Sequence, residues 1–173
     1  MKPYLVLAAG AVRRVVKGMA VTVMAMLSVA LAGLAPVQGE TAVAALSANE
    51  EMALFAAAGF KIAGNGQYRR CNEDPVSLSY HPGQMELMDL NGDGRSEAWI
   101  TEHSLFCYGD RGQYFVLLTR VPGGWQPVLE AVGIAVIKDS GYQGWPDIAI
   151  GGQDLDVSPL YRWNGKAYVR SNP

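Results

Sequence analysis

From residue 85 onward the chain alternates short apolar runs with glycine, asparagine, aspartate and proline. Runs of this length, separated by turn-forming residues, are typical of β-strands joined by tight turns. Segments 121–125 (Val-Pro-Gly-Gly-Trp) and 163–166 (Trp-Asn-Gly-Lys) are predicted hairpin turns, because Gly-Gly and Asn-Gly adopt the positive φ angles that such turns require. The predicted strands are 86–88, 97–102, 113–120, 126–131, 133–138, 147–150, 160–163 and 167–170.

One short helix is predicted ahead of the strands, over about residues 48–58. Ser47 and Glu50 have the spacing of a capping box, in which two side chains satisfy backbone donors at a helix start. Gly59 is placed to end the helix in a left-handed conformation. A small amphipathic helix of this kind is expected to cover one side of a sheet. Its predicted inner face consists of Met52, Phe55 and Ala56, with Ala53 beside them.

The chain also resembles itself at an offset of 50 residues. Asp89, Gly94, Glu97 and Ile100 then fall on Asp139, Gly144, Asp147 and Ile150. This alignment predicts two copies of a loop, strand and hairpin unit, at about 85–131 and 135–171, with chance similarity of glycine-rich turns as the alternative. The expected fold is α+β and mostly antiparallel β. One short N-terminal helix would pack on β-hairpins, and the two degenerate units would resemble propeller blades.

Residues 1–39 have the charge distribution of a secretory leader. They contain four basic residues and no acidic one, and an uncharged apolar run covers 19–35. Small residues favour cleavage near Gly39 or Ala35, with a retained membrane anchor as the alternative. Arg13-Arg14 leaves a twin-arginine export route open. The predicted organisation is a signal peptide over 1–39 and a single mature domain over 40–173, in the periplasm or secreted.

Removal of the leader makes the protein acidic. The leader holds 4 of the 14 basic residues and none of the 16 acidic ones, so the mature chain has a net charge near −6. Nucleic-acid binding needs clustered lysine and arginine, and the mature basic residues stand singly apart from Arg69-Arg70. We therefore expect no nucleic-acid partner, and no stable membrane insertion after cleavage.

Two cysteines, Cys71 and Cys107, follow the leader. Export would place them in an oxidising compartment, where two thiols in one small domain usually pair. We predict a disulfide between them, with two buried free thiols as the alternative. Closing a loop of that length would stabilise the fold by about 4 kcal/mol.

The segment 89–97 (Asp-Leu-Asn-Gly-Asp-Gly-Arg-Ser-Glu) carries the candidate chemistry. Calcium takes about six to eight oxygen ligands and prefers carboxylates, amide oxygens and backbone carbonyls. The segment supplies such oxygens at alternate positions, which points successive side chains inward as the backbone winds around an ion, and Gly94 permits the sharp reversal. The predicted ligands are the side chains of Asp89, Asn91, Asp93 and Glu97 and the backbone carbonyl of Arg95.

This loop is not an EF-hand. Ile100 stands where that motif has a bidentate glutamate, and strand-like residues follow where a helix should run. The loop resembles the Asp-x-Asn-x-Asp-Gly-x-x-Asp/Glu loop of FG-GAP and VCBS-type β repeats, which leads into a strand. Together with segments 144–152 and 161–168, it also looks like small exported bacterial proteins of unassigned function. The resemblance implies that the five predicted ligands hold calcium.

A polar turn without metal is the alternative for this loop, because Asn, Gly and Asp form turns on their own. Three carboxylates within nine residues would then repel one another with nothing to offset them. In the second copy, Gly141 and Gln143 replace the oxygen donors Asn91 and Asp93. The second copy is therefore predicted to be only a turn.

Enzyme chemistry has little support in the sequence. His81 and His103 lack the spacing of a zinc pair. The predicted disulfide removes a cysteine nucleophile, and no Gly-x-Ser-x-Gly elbow occurs. Glu97 and Glu102 lie five residues apart, which puts them on opposite faces of a strand. The tryptophans and tyrosines would suit a glycan or peptide platform, and core packing explains them equally well.

The function expected from the sequence is an exported, calcium-binding, non-enzymatic structural or binding module. Its partner would be an unidentified protein or glycan. The first alternative is a disulfide-stabilised secreted inhibitor or partner-binding protein whose acidic loop contacts a basic target without metal. The second is a metal-assisted hydrolase, for which the sequence offers no identifiable general base.

Overall fold

A computed structural model of the protein describes residues 45–111, 113–151 and 158–171. The predicted leader over 1–39, with its cleavage points, lies outside these residues. All described residues belong to one compact unit, Glu40–Pro173. Within the described ranges, no helix is long and apolar enough to cross a membrane.

Short strands dominate the described part of the chain, as the apolar pattern predicts. The described ranges contain two α-helices, α1 at Ala48–Ala57 and α2 at Leu105–Tyr108, and a 3₁₀ turn at Gly109–Arg111 follows α2. The strands are β1 Lys61–Ile62, β2 Tyr68–Arg69, β3 His81–Met88, β4 Glu97–His103, β5 Gln113–Val121, β6 Gly124–Val132, β7 Ile134–Tyr142, β8 Trp145–Gly151, β9 Leu160–Trp163 and β10 Tyr168–Arg170.

Eight of these strands form two antiparallel sheets of four. The first sheet has the order β3-β4-β5-β6 and the second the order β7-β8-β9-β10, while β1 and β2 pair with each other. Each sheet is therefore a meander in which consecutive strands are neighbours. The predicted fold class, α+β and mostly antiparallel β, is confirmed. Each of the eight predicted strands overlaps an observed one.

The start and the end of α1 follow from three residues. Ser47 Oγ accepts a hydrogen bond from Glu50 N, and Ser47 N donates to the Glu50 carboxylate at 3.0 Å, so the predicted capping box is present. Gly59 follows the last turn with a φ of 79°. This left-handed conformation is the one expected of a glycine that ends a helix.

The predicted inner face of α1 is wrong in part. Met52 is 43% exposed, whereas Leu54 and Phe55 are buried. Ala53 and Ala56 are exposed as well. The many alanines of the helix give a weak amphipathic pattern. The two largest side chains that can reach the sheet therefore decide which face is buried, because they remove the most apolar area from water.

Strand β5 lies inside the first sheet, and its side chains alternate between two cores. Tyr114, Val116 and Leu118 pack on the side of α1. Phe115 and Leu117 pack on the side of the second sheet. This alternation is the period of two that strand geometry imposes. The first sheet is thus covered by α1 on one face and by the second sheet on the other.

Aromatic rings fill the core contributed by the second sheet. Trp145 and Trp163 stack with ring centres 4.3 Å apart, and Tyr168 packs edge-on against both. All three rings are buried. These two tryptophans therefore serve the core and are not part of an exposed ligand platform.

The predicted disulfide between Cys71 and Cys107 is present and is confirmed. It joins the segment after β2 to α2, a helix that the sequence pattern did not predict. Ser104 precedes α2, where its hydroxyl accepts a hydrogen bond from Cys107 N at 3.1 Å and donates one to Glu73 at 2.8 Å. The cross-link thus lies within a hydrogen-bonded arrangement beside the first sheet.

Candidate metal-binding loop

The loop over residues 89–96 connects β3 to β4 in the first sheet. Met88 and Glu97 are paired residues at its two ends, so the loop is closed at its base. Gly92 and Gly94 have φ angles of 74° and 83°. Residues with a side chain rarely adopt such angles, and the reversal expected at Gly94 is present.

Asp89 organises the loop through its carboxylate. Its Oδ1 accepts hydrogen bonds from Gly92 N at 2.9 Å and from Asp93 N at 3.1 Å, and its Oδ2 accepts one from Gly94 N at 2.9 Å. A carboxylate has roughly four acceptor positions. The three N–H groups therefore hold the loop in a wound conformation and leave some acceptor capacity on Asp89.

Asn91 and Asp93 continue this pattern along the loop. Asn91 Oδ1 accepts a hydrogen bond from Asp93 N at 2.9 Å, and Asp93 Oδ1 accepts one from Arg95 N at 2.8 Å. Asn91 Nδ2 lies 3.5 Å from both Asp93 Oδ2 and Glu97 Oε1. The side chains at the third, fifth and ninth positions of the loop therefore surround one small region.

The acidic side chains of the loop are not all placed as the ligands of one bound ion would be. Among the described residues, no group of three or more His, Cys, Asp and Glu side chains is placed to hold a metal ion. Asp89 is directed to backbone N–H groups, and Asn91 approaches the carboxylates through its nitrogen. The structure thus brings Asn91, Asp93 and Glu97 together and places Asp89 at the entrance of the loop. Arg95 is exposed.

Glu97 is the buried member of this group, with 1% of its surface exposed. Its carboxylate accepts hydrogen bonds from Leu90 N and from the Thr119 hydroxyl, both at 3.0 Å. Burial raises the pKa of Glu97, and the nearby charges of Asp93 and Asp89 act in the same direction. No lysine, arginine or histidine of the described residues lies within 4.0 Å of the Glu97 carboxylate.

Asp147 occupies the matching position in the second sheet and is fully buried. Its carboxylate accepts two hydrogen bonds from Arg162, at 2.9 and 2.6 Å, and one from the Ser140 hydroxyl at 2.7 Å. The Arg162 hydrogen bonds are the main reason that the pKa of Asp147 is lowered. A guanidinium ion therefore balances the buried charge in this copy.

The strand registers show why the two carboxylates have different partners. Ala98 pairs with Leu118, and Ile148 pairs with Tyr161. One residue further along, Glu97 therefore faces Thr119, whereas Asp147 faces Arg162. Glu97 thus faces the neutral hydroxyl of Thr119, whereas Asp147 faces a cation. The offset alignment identified the two acids, but the shorter connection in the second copy hid the match between their partners.

The turn at 143–144 contacts the 89–97 loop. Gly144 has a φ of 83°, and a Cβ built on it would lie 2.8 Å from the Asn91 carbonyl oxygen. The neighbouring Gln143 has a φ of 52°. The turn at 143–144 thus packs against the backbone of the candidate metal loop, and a side chain at position 144 would come too close to it.

A second buried acid, Glu102, was missed as a structural centre by the sequence pattern. Its carboxylate accepts hydrogen bonds from the backbone N–H groups of Arg70 and Cys71, both at 2.9 Å. The Tyr80 hydroxyl donates to it at 2.7 Å, and the Tyr108 hydroxyl donates as well. Most of these donors lie far from Glu102 in the sequence, so no local motif predicts the hydrogen bonds. Glu102 connects the disulfide segment to the first sheet on the face opposite Glu97.

No family model, curated protein or solved structure matches this chain. The loop geometry and the contacts of its residues are therefore the grounds on which a function is proposed.

Proposed function

We propose that the protein is an exported, non-enzymatic structural or binding module whose 89–97 loop binds one calcium ion. The observation that carries the proposal is the unequal surroundings of two equivalent buried carboxylates. Asp147 has Arg162 as its counter-ion, and Glu97 has no cationic side chain within 4.0 Å among the described residues. A buried charge without a partner is costly. A bound cation would supply the missing positive charge.

Calcium suits the atoms that this loop presents. The predicted ligands are oxygens of Asp89, Asn91, Asp93, Glu97 and the Arg95 carbonyl, and hard cations prefer oxygen ligands. Asn91 Nδ2, which carries a partial positive charge, lies 3.5 Å from the Asp93 and Glu97 carboxylates. A cation in this region would interact with the same two carboxylates more strongly. Mg²⁺ demands stricter octahedral geometry than a loop of this kind provides.

Two features support an exported location. The leader-like segment 1–39 is basic and then apolar. The disulfide between Cys71 and Cys107 suits an oxidising compartment. Extracellular calcium modules commonly have dissociation constants of about 10⁻⁴ to 10⁻³ M. An affinity in this range is expected for a loop with one buried and several exposed ligands.

The described side chains favour a non-enzymatic role. Both cysteines are in the disulfide, so neither is a free thiol nucleophile. Glu102 is buried and accepts hydrogen bonds from four donors, so it is not available as a general base. An unidentified protein or glycan partner is the expected ligand of such a module.

Thermal melting of the oxidised protein tests the calcium proposal. Calcium at about 100 times its dissociation constant should add about 2.7 kcal/mol to the free energy of unfolding. Excess EDTA should reverse the shift, and magnesium should not reproduce it. The double variant Asp89→Ala, Asp93→Ala should lose the response.

A matched control for this variant is Asp139→Ala, since Asp139 aligns with Asp89 in the second copy and is exposed. It should keep the full calcium response. If the parent protein shows no shift at any calcium concentration, the proposal is wrong and the loop is a turn.

The disulfide-held, metal-free binding protein is the second candidate, and one observation favours it. Exposed apolar side chains flank both cysteine segments: Val76 and Leu78 follow Cys71, and Leu105 and Phe106 precede Cys107. Apolar surface of this kind often marks contact with another protein. Capture of a basic exported protein that weakens with salt and is unchanged by EDTA would favour this candidate over the calcium module.

A further inference from the structure

The two histidines of the chain lie side by side in the first sheet, although 22 positions separate their residue numbers. His81 of β3 and His103 of β4 are paired residues. Side chains of directly paired residues project from the same face of a sheet. The two imidazole ring centres are 5.6 Å apart. Sequence spacing gave no indication of this pair, because only the strand register creates it.

Oxygen-bearing side chains surround the histidine pair. His103 of β4 also pairs with Gln113 of β5. Gln84 of β3 pairs with Thr101 of β4, two residues before His103. These side chains line a cavity of about 270 Å³ at the end of the first sheet. The cavity is large enough to admit water molecules around an ion.

Both imidazoles are available for a ligand. Neither His81 nor His103 forms a side-chain hydrogen bond or an ion pair with any other described residue. His81 is exposed and His103 is half-buried. The pairing of β3 with β4 also shifts register between His81 and Gln84. Such irregularities re-aim side chains and are frequent beside binding sites.

We propose that His81 and His103 together bind one divalent late transition-metal ion, Zn²⁺ or Cu²⁺. Imidazole nitrogen is a preferred ligand of both metals. A zinc ion lies about 2.0–2.1 Å from a coordinating nitrogen, so two imidazoles that share a tetrahedral ion have ring centres roughly 5 Å apart. The observed separation of 5.6 Å is close to this distance.

Water molecules, or the amide oxygens of Gln84 and Gln113, would fill the remaining coordination positions. No third His, Cys, Asp or Glu side chain among the described residues joins the pair in a metal cluster. The site is therefore an open one that holds an exchangeable ion, unlike a closed structural zinc site with four protein ligands.

This site is separate from the candidate calcium loop. Glu97 and His103 are the first and last residues of β4, so roughly 20 Å of extended strand lies between them. The donor atoms also differ, since the loop offers oxygens and the pair offers nitrogens. The proposal does not depend on calcium binding, and the two can fail independently.

Proton NMR of the full-length protein, carrying an affinity tag without histidine, tests the proposal directly. The chain has 2 histidines, so two imidazole Hε1 signals are expected. Zinc chloride added in the presence of millimolar calcium should change both signals together and saturate at one zinc per chain. Excess EDTA should restore them. Signals that do not respond, or a response of one histidine alone, would overturn the proposal.

Titration calorimetry with zinc on variants supplies the matched comparison. His81→Ala and His103→Ala should each weaken zinc binding at least tenfold. The Asp89→Ala, Asp93→Ala variant should bind zinc as the parent does, because it leaves the pair intact. His81 is exposed, so His81→Ala should melt at the parent temperature in EDTA. Unchanged zinc affinity in both histidine variants would contradict the proposed site.

Discussion

Glu97 and Asp147 are buried acids on the second strand of their respective sheets, and the side chains around them differ. Asp147 is held by Arg162, whose guanidinium donates two hydrogen bonds to it. Glu97 receives hydrogen bonds only from neutral donors and lies near two further acids. A side chain thus neutralises the buried acid in the second sheet, whereas Glu97 has no cationic side chain within 4.0 Å among the described residues. The second sheet thus has an arginine at its buried acid, and it has Gly141 and Gln143 where the alignment places the oxygen donors Asn91 and Asp93.

The disulfide is a second difference between the two halves, since it cross-links only the segments beside the first sheet. The double variant Cys71→Ala, Cys107→Ala should lower the free energy of unfolding by about 4 kcal/mol, because the unfolded chain regains the freedom of a closed loop. Urea denaturation of the parent and the variant measures this loss. A change below about 1 kcal/mol would show that hydrogen bonds around Glu102 hold this region without the cross-link.

Removal of Arg162 should destabilise the second sheet most directly. Arg162→Ala leaves Asp147 buried without its counter-ion and should lower the melting temperature by on the order of 5–10 °C, independently of calcium. Arg170→Ala is the matched control, since Arg170 is an exposed arginine like Arg162 and lies on the neighbouring strand, but forms no ion pair with a described residue. It should change the melting temperature little.

The effect of Arg162→Ala should also depend on pH. The folded-state pKa of Asp147 is lowered, so the contribution of the pair is fully present above the unfolded pKa of roughly 3.9. It is lost as the pH falls through the lower folded value. The difference in stability between parent and variant should therefore shrink below about pH 4. A difference that stays constant down to pH 2 would mean that Arg162 acts through packing alone.

The contact between the turn at 143–144 and the 89–97 loop predicts an effect of Gly144 on the candidate calcium site. Gly144→Ala places a Cβ 2.8 Å from the Asn91 carbonyl oxygen. It should cost about 1–2 kcal/mol of stability and weaken calcium binding. Gly165→Ala is the control, because Gly165 also has a positive φ, of 95°, but its nearest contact would be 3.8 Å away. It should lower stability without changing calcium affinity.

The smallest expected effect comes from giving Glu97 the kind of partner that Asp147 has. Thr119→Arg should raise the stability of the EDTA-treated protein by up to about 1 kcal/mol and should reduce the calcium-induced shift. Thr119→Val removes the hydroxyl without adding charge. It should lower stability by about 1 kcal/mol and keep the calcium response. Equal calcium responses in the arginine variant and the parent would argue against charge compensation at Glu97.

Local patterns predicted the elements of this fold well, for reasons that the residues make plain. The capping box at Ser47, the glycine-rich hairpin turns and the short apolar runs act within a few residues. The disulfide followed from counting two cysteines in a chain that begins with a leader-like segment. The buried face of α1 could not be predicted from local patterns. Met52 and Leu54 could each pack against the sheet, and only tertiary packing decides which of them is buried.

The partners of buried side chains could not be predicted for a related reason. Strand register brings Arg162 next to Asp147 and His81 next to His103, although the members of these pairs are 15 and 22 positions apart in the sequence. Glu102 accepts hydrogen bonds from donors in three separate segments of the chain. The sequence therefore indicated the candidate calcium loop, whose residues are adjacent in the chain, but not the groups of side chains that only the fold brings together.

The stoichiometry of calcium binding tests the central claim most directly. Titration calorimetry of the oxidised protein, after removal of metal with EDTA, should give one calcium ion per chain, and the Asp89→Ala, Asp93→Ala variant should bind none. Two ions per chain would mean that the second copy, with Arg162 at its buried acid, also binds calcium. No binding by the parent would contradict the assignment of the 89–97 loop as a calcium site.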